Sequence, residues 1–272
     1  MAQRAILCPR CRRLIGSNEA VCSWCGTTRS APWWHFMNWT RGALAGDWLV
    51  QAIITVNVLY FAISLLVSAK EGSISGFLSP GQTSLLLLGA TGTYPIDRFG
   101  TYWTLISASY LHSGILHLIF NLMALKQLAP WVSNEYGASR MLTIYTLGGI
   151  AGYVVSYFAG IPFTIGASAG ICSLIGALLL YGKSRGGAYG SSVYRDVSGW
   201  VISLFVFGLI FPGINNWGHG GGIVGGIILG AILGYRERRQ ENHLDKALAL
   251  LCGLATVCVL GWAIVRTYIT TN

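Results

Sequence analysis

Seven apolar runs, at roughly residues 48–68, 113–131, 140–160, 167–182, 196–212, 218–235 and 247–268, leave this chain few ways to fold. A helix needs about 20 apolar residues to cross a bilayer core, and most of the runs approach that length. The fourth and fifth are shorter, so each is expected to tilt, to begin below the surface or to extend into its loop. Only 10% of the residues are charged, against about 25% in a soluble domain. Most of the chain is therefore not built to face water. The expected fold class is an all-α membrane protein whose seven-helix domain fills residues 48–268.

Charge is sorted along the same runs. With a cytoplasmic N-terminus, only Lys70, Arg98 and Arg266 of the 18 Lys and Arg fall on outer segments. This is the positive-inside bias of a membrane protein, and it accounts for the net charge of +9 without nucleic acid, which is not an expected partner. Seven spans then put the C-terminus outside. Residues 1–30 lack the apolar core of a secretory signal, so the first span is expected to direct insertion.

Four of the seven cysteines lie near the start, as Cys8-Pro9-Arg10-Cys11 and Cys22-Ser23-Trp24-Cys25, with Gly26 following. Two C-x-x-C pairs let four thiolates converge tetrahedrally on zinc, and a glycine after the second pair can take the left-handed conformation that turns backbone amides toward sulfur. Two disulfides are the alternative, which a reducing cytoplasm disfavours. Residues 1–27 are thus expected to form a small zinc-ribbon-like domain with structural zinc on Cys8, Cys11, Cys22 and Cys25, since four cysteines leave no open coordination position. Residues 28–47, with Pro32 and the run Trp33-Trp34-His35-Phe36, read as a linker at the membrane interface. A cytoplasmic protein is a candidate partner for the ribbon; Arg10, Arg12 and Arg13 also suit anionic partners such as phospholipid headgroups. Cys172, Cys252 and Cys258 fall in spans and read as packing residues.

Gly166-Ala167-Ser168-Ala169-Gly170 spells G-x-S-x-G at the start of the fourth span. A serine hydroxyl is a weak nucleophile until a base takes its proton. Spans two, four and six run in the same direction, so their early residues share one end. That end collects Ser168, His117, Asn121 and His219. Glycines 218, 222, 226, 230 and 234 recur every fourth residue after the start of span six, a small-residue face that lets another helix approach closely. If span four is the partner, Ser168 and His219 come within hydrogen-bond reach, and helix packing alone is the alternative reading. His117 and Asn121, four apart on one helix face, and the Ser168 amide at a helix N-terminus are candidate donors to a developing oxyanion. No acidic residue stands beside His219 in sequence, so a Ser168–His219 dyad without a carboxylate is expected. His112, Ser113, Asn121, Ser168 and Asn216 are candidates to line a cavity that admits water.

Over about residues 85–235 the sequence resembles the rhomboid intramembrane serine proteases. The resemblance rests on Leu85-Leu86-Leu87-Leu88-Gly89-Ala90, on Tyr102-Trp103-Thr104-Leu105, on Tyr110-Leu111-His112 with His117 and Asn121, and on Glu135, Gly137 and Arg140. Gly166-Ala167-Ser168 and His219 with Gly222 and Gly226 complete it. It implies a six-helix core, here with an extra C-terminal span. It also implies cleavage of transmembrane segments of other proteins, which enter from the lipid near span five. By position, Ser168 would be nucleophile, His219 general base, and His117, Asn121 and the Ser168 amide the oxyanion hole, with no cofactor for catalysis. Two residues depart from the family pattern: Thr104 stands where an arginine usually follows the tryptophan, and Cys172 where an aromatic often packs under the base. A catalytically silent relative that binds transmembrane helices is the alternative function. The compact size and N-in topology suggest a bacterial plasma membrane.

Overall fold

The computed structural model describes residues 5–8, 14–16, 19–24, 26, 28, 48–70, 72–73, 78–211 and 213–271. The chain divides into two compact units, Met1–Trp48 and Leu49–Asn272. In the first, β1 (Ala5–Leu7) pairs antiparallel with β2 (Leu14–Gly16), Ala5 opposite Gly16. Cys8 follows β1, and Cys8 and Cys22 are both buried. The Gly26 amide donates to the Cys22 carbonyl at 2.9 Å, with Gly26 at φ +68°, so a tight turn follows Cys22. Cys11, Cys25 and the linker from 29 to 47 lie outside the described residues, and with them the four-cysteine site.

The second unit is helical. Its long helices are α1 (Trp48–Lys70), α5 (Ile115–Tyr136), α6 (Ala138–Phe158), α7 (Ser168–Arg185), α8 (Gly187–Ile210), α9 (Asn216–Leu233) and α10 (His243–Thr271). Between α1 and α5 lie the short helices α2 (Gln82–Leu87), α3 (Thr93–Phe99) and α4 (Thr104–Ser107) and a 3-10 turn at Ala108–Tyr110. Among the described residues, α1, α5, α6, α8 and α10 are long and apolar enough to cross a membrane. At 18 residues each, or about 27 Å, α7 and α9 are the shorter pair, packed in the interior against α6.

The fifth run extends into its loop, one of the three alternatives expected of it. It is part of a 24-residue helix that begins at Gly187, nine residues before the apolar pattern does. Gly186 and Gly187, at φ +68° and +66°, turn the chain sharply out of α7, and the first turns of α8 then carry Ser191, Ser192, Arg195 and Asp196. Those polar residues hide the helix from a reading of hydropathy. The last helix likewise starts before its apolar run, because Asn242 and Asp245 cap it reciprocally: the Asn242 amide donates to Asp245 Oδ2 and the Asp245 amide to Asn242 Oδ1, both at 3.0 Å. Such paired caps satisfy donors that a helix N-terminus leaves open.

At the end away from Ser168, Arg140 is a completely buried hub. Its guanidinium donates to the carbonyls of Tyr136, Gly234, Arg239 and Gln240 and pairs with Asp245 at 2.7 Å. Glu241 accepts the Ser139 and Arg140 amides at the start of α6. The α5–α6 turn is thereby clamped to the segment joining α9 to α10.

Candidate active site

Two helix N-termini meet here. Ser168 is the first residue of α7, after Ala167 in the cap position, so its amide is among the donors that no helical carbonyl reaches. Gly166 holds the approach: its amide donates to the Ala108 carbonyl at 2.8 Å, its carbonyl accepts from the Tyr153 hydroxyl, and its φ is +124°. His219 is in the first turn of α9. Asn215 caps that helix through Gly218 and donates to Ser156 Oγ at 2.7 Å and Thr164 Oγ1 at 2.9 Å, fastening the start of α9 to α6 and to the chain just before Gly166. The two termini leave His219 Nε2 2.9 Å from Ser168 Oγ. The other ring nitrogen, Nδ1, is buried with no hydrogen-bond partner among the described residues, and no carboxylate orients the ring.

His117 approaches from α5. The Ser113 amide donates to its Nδ1 at 3.3 Å, with Ser113 Oγ 3.1 Å away. A ring that accepts at Nδ1 carries its proton on Nε2 when neutral, and that nitrogen faces Gly166. A Cβ on Gly166 would stand 2.9 Å from His117 Nε2 and 3.7 Å from Ser168 Oγ. The glycine therefore keeps open a space walled by the nucleophile on one side and a donor on the other. Asn121 lies one turn along α5, and its amide donates to the His117 carbonyl at 2.8 Å. Its remaining N–H is free of that bond, but no described contact joins Asn121 to Ser168. His112 is fully buried, its ring edge-on to His117 with centroids 5.0 Å apart.

The glycine face of α9 has two sides rather than one. Gly222, Gly226 and Gly230 lie on α7, where a Cβ would run into the Ala169 carbonyl, into the Ser173 carbonyl, and within 3.4 Å of the Ala177 Cα. Gly218 instead faces Ser156 of α6, and Gly221 and Gly225 continue that second row against Val155 and Ala151. Gly234 lies beyond the helix as its cap, at φ +68°. Single-period counting missed the second row because glycines at i+3 and i+4 alternate along it. A cavity of about 440 Å³ opens between α8 and α9, lined by Val201, Leu204, Phe205, Trp217 and Ile223 beside His219. Asn216 lines it as well. Its walls are apolar because α8 presents its lipid-like face there.

Asn215 is the site residue that sequence reasoning passed over, and Ser113 and Gly166 were named there without the contacts the structure gives them. Asn215 had a signal, since it stands at the N-cap position before the sixth run. Cys172 is buried one turn below Ser168, and a Cβ on Gly222 would come within 3.1 Å of its own Cβ. Among the described residues no cluster of three His, Cys, Asp or Glu could hold a metal.

An integral membrane protein with a serine and a histidine hydrogen-bonded between two helix N-termini is the class that fold and site define. The pattern of the Rhomboid domain matches residues 100–236, half of the chain, and the chain belongs to that family. It is 36% identical over 181 residues to "Rhomboid protease GluP" of Bacillus subtilis (strain 168), covering 66% of this chain and 35% of that protein. It is 31% identical over 184 residues to "RHOMBOID-like protein 9, chloroplastic" of Arabidopsis thaliana, covering 64% and 42%. "Inactive RHOMBOID-like protein 8" of the same plant is 25% identical over 213 residues, covering 70% and 60%. The chain thus spans between about a third and three fifths of the length of these relatives.

Proposed function

We propose that this protein is an intramembrane serine protease that cuts transmembrane segments of other membrane proteins with a Ser168–His219 dyad. One observation carries the reading: Ser168 Oγ and His219 Nε2 are 2.9 Å apart, next to the space that Gly166 leaves open. In the proposed reaction Ser168 Oγ attacks the scissile carbonyl carbon as His219 Nε2 accepts its proton. The carbonyl oxygen becomes an oxyanion in the space beside Gly166, where the Ser168 amide and His117 Nε2–H donate to it. Asn121 supports His117 and supplies its remaining N–H. The C–N bond then breaks, His219 returns the proton to the leaving amine, and an acyl-serine remains. Water, deprotonated by His219, attacks that ester and restores Ser168. With no carboxylate behind Nδ1, the imidazolium lacks the partner that usually stabilises it, so turnover is slow.

The substrate comes sideways from the lipid near α8. The N-terminus is cytoplasmic, Ser168 lies toward the outside, and Cys8, Cys11, Cys22 and Cys25 bind one structural zinc that takes no part in catalysis. The test is cleavage of a generic transmembrane reporter in lipid vesicles by the wild type, Ser168→Ala and His219→Ala. Only the wild type is expected to cut, and a serine-reactive fluorophosphonate is expected to label it alone. A folded wild type that neither cuts nor labels would instead support a silent helix-binding protein.

A further inference from the structure

Helix α10 lies beyond the residues that match the Rhomboid domain, which end at 236, yet it packs back onto them. Its buried residues recur every three or four positions from Asp245 to Thr267, the stripe of a helix with one face on a core. That stripe meets α6 and α4. Arg266 flanks it, half-buried, with its guanidinium over the Trp103 ring, 5.8 Å from the centroid. A cation is drawn to an aromatic face within about 6 Å, and none of the ion pairs among the described residues takes this one. Trp103 is itself wedged: a Cβ on Gly89 would stand 2.4 Å from its indole, so backbone bounds the ring on another side.

Two paths lead from this stretch to the site. Thr104, next to Trp103, is buried with its Oγ1 2.9 Å from Thr91 Oγ1. Thr91 and Thr164 exchange backbone hydrogen bonds at 3.1 and 2.7 Å, and Thr164 Oγ1 accepts from Asn215, the cap of the helix that carries His219. Further along, the Ala108 carbonyl accepts the Gly166 amide at 2.8 Å. Segment 103–108 thus braces both sides of the Ser168–His219 pair, and buried, satisfied networks of this kind are rigid. We infer that Arg266 is a positioning residue for the active site: by holding Trp103 it sets segment 103–108, and through it Gly166 and the start of α9. It has no described contact with Ser168 or His219 and acts only through Trp103. The inference rests on the protease reading for its effect on turnover, but not for its effect on the segment.

The experiment is a double-mutant cycle in lipid vesicles with Arg266→Met, Trp103→Leu and the pair, plus Arg266→Lys, which keeps the cation. Amide hydrogen exchange is followed in peptides covering 103–108 and 161–168. Transmembrane-reporter kcat and KM are measured per site labelled by a fluorophosphonate. Arg266→Met is expected to speed exchange in both peptides and to lower kcat by about two- to fivefold, the range one such contact supplies, with KM nearly unchanged and peptides of α5 and α8 exchanging as before. Arg266→Lys is expected to fall between Arg266→Met and the wild type. In the Trp103→Leu background Arg266→Met is expected to add nothing. An equal effect of Arg266→Met with and without Trp103 would overturn the inference, as a guanidinium serving only to anchor α10 at lipid phosphates would give. So would unchanged kcat per labelled site, or exchange that rises throughout the protein, as a merely structural role would give. If Trp103→Leu does not accumulate, Arg266→Lys decides: an effect equal to that of Arg266→Met counts against the cation. A wild type that neither cuts nor labels counts against the protease reading alone, because the exchange of the two peptides still tests the positioning.

Discussion

Much of the site turns on an atom that is not there. Gly166 has φ +124° and lies against the His117 ring, so Gly166→Ala adds both backbone strain, of order 1–3 kcal/mol, and a methyl group in the space assigned to the oxyanion. Its expected effect is a drop of about 100-fold or more in kcat at nearly unchanged KM, with circular dichroism as for the wild type. His117→Ala removes one oxyanion donor and is expected to lose about 10²–10³ in kcat, read in the same reporter assay. The second glycine of the motif does something else: a Cβ on Gly170 would press within 2.8 Å of the Tyr145 ring, so it serves packing. Serine, histidines and Asn121 were legible in the sequence because polar residues are conspicuous in apolar runs. The separate duties of two glycines were not, since a missing side chain has meaning only beside its neighbours.

Helix α9 is the element on which the architecture depends. A Cβ on Gly226 would overlap the Ser173 carbonyl, which is backbone and cannot step aside, whereas a Cβ on Gly220 meets nothing within 4 Å. Gly226→Ala is therefore expected to destabilise the fold by about 1–3 kcal/mol through overpacking. Gly220→Ala is expected to stabilise the helix by roughly 0.5–1 kcal/mol. Thermal unfolding in one detergent would separate the two, and equal shifts would contradict the close approach of α7 and α9. The four-residue glycine spacing made a tight helix contact legible, but not its division between α6 and α7. That division depends on small residues in the partners, Ala169 and Ser173 on one side and Gly148 and Gly152 on the other.

For the whole molecule, the clamp around Arg140 decides whether α10 is an ornament or a strut. Asp245 comes from beyond the residues that match the Rhomboid domain, yet it neutralises a guanidinium that is 0% exposed. Asp245→Ala would leave that charge buried and unpaired, at an expected cost of about 3–5 kcal/mol, seen as a lower unfolding midpoint or a failure to accumulate in membranes. In the other unit, one zinc per chain is expected by elemental analysis of the purified protein, lost when Cys8 and Cys22 are both replaced by Ser.

The sequence by itself determined that the chain enters a membrane as helices and that Ser168, His117, Asn121 and His219 gather at one end. Both follow from local quantities, the transfer free energy of an apolar run and the direction in which successive helices cross. The tertiary structure alone decided which nitrogen of His117 faces Gly166, which glycines meet α6 and which α7, where α8 begins, and that Arg140 finds its carboxylate 105 residues away on the last helix. Those are matters of contact. A hydropathy profile records what each residue prefers to leave, whereas the fold records what two distant residues find when they arrive together.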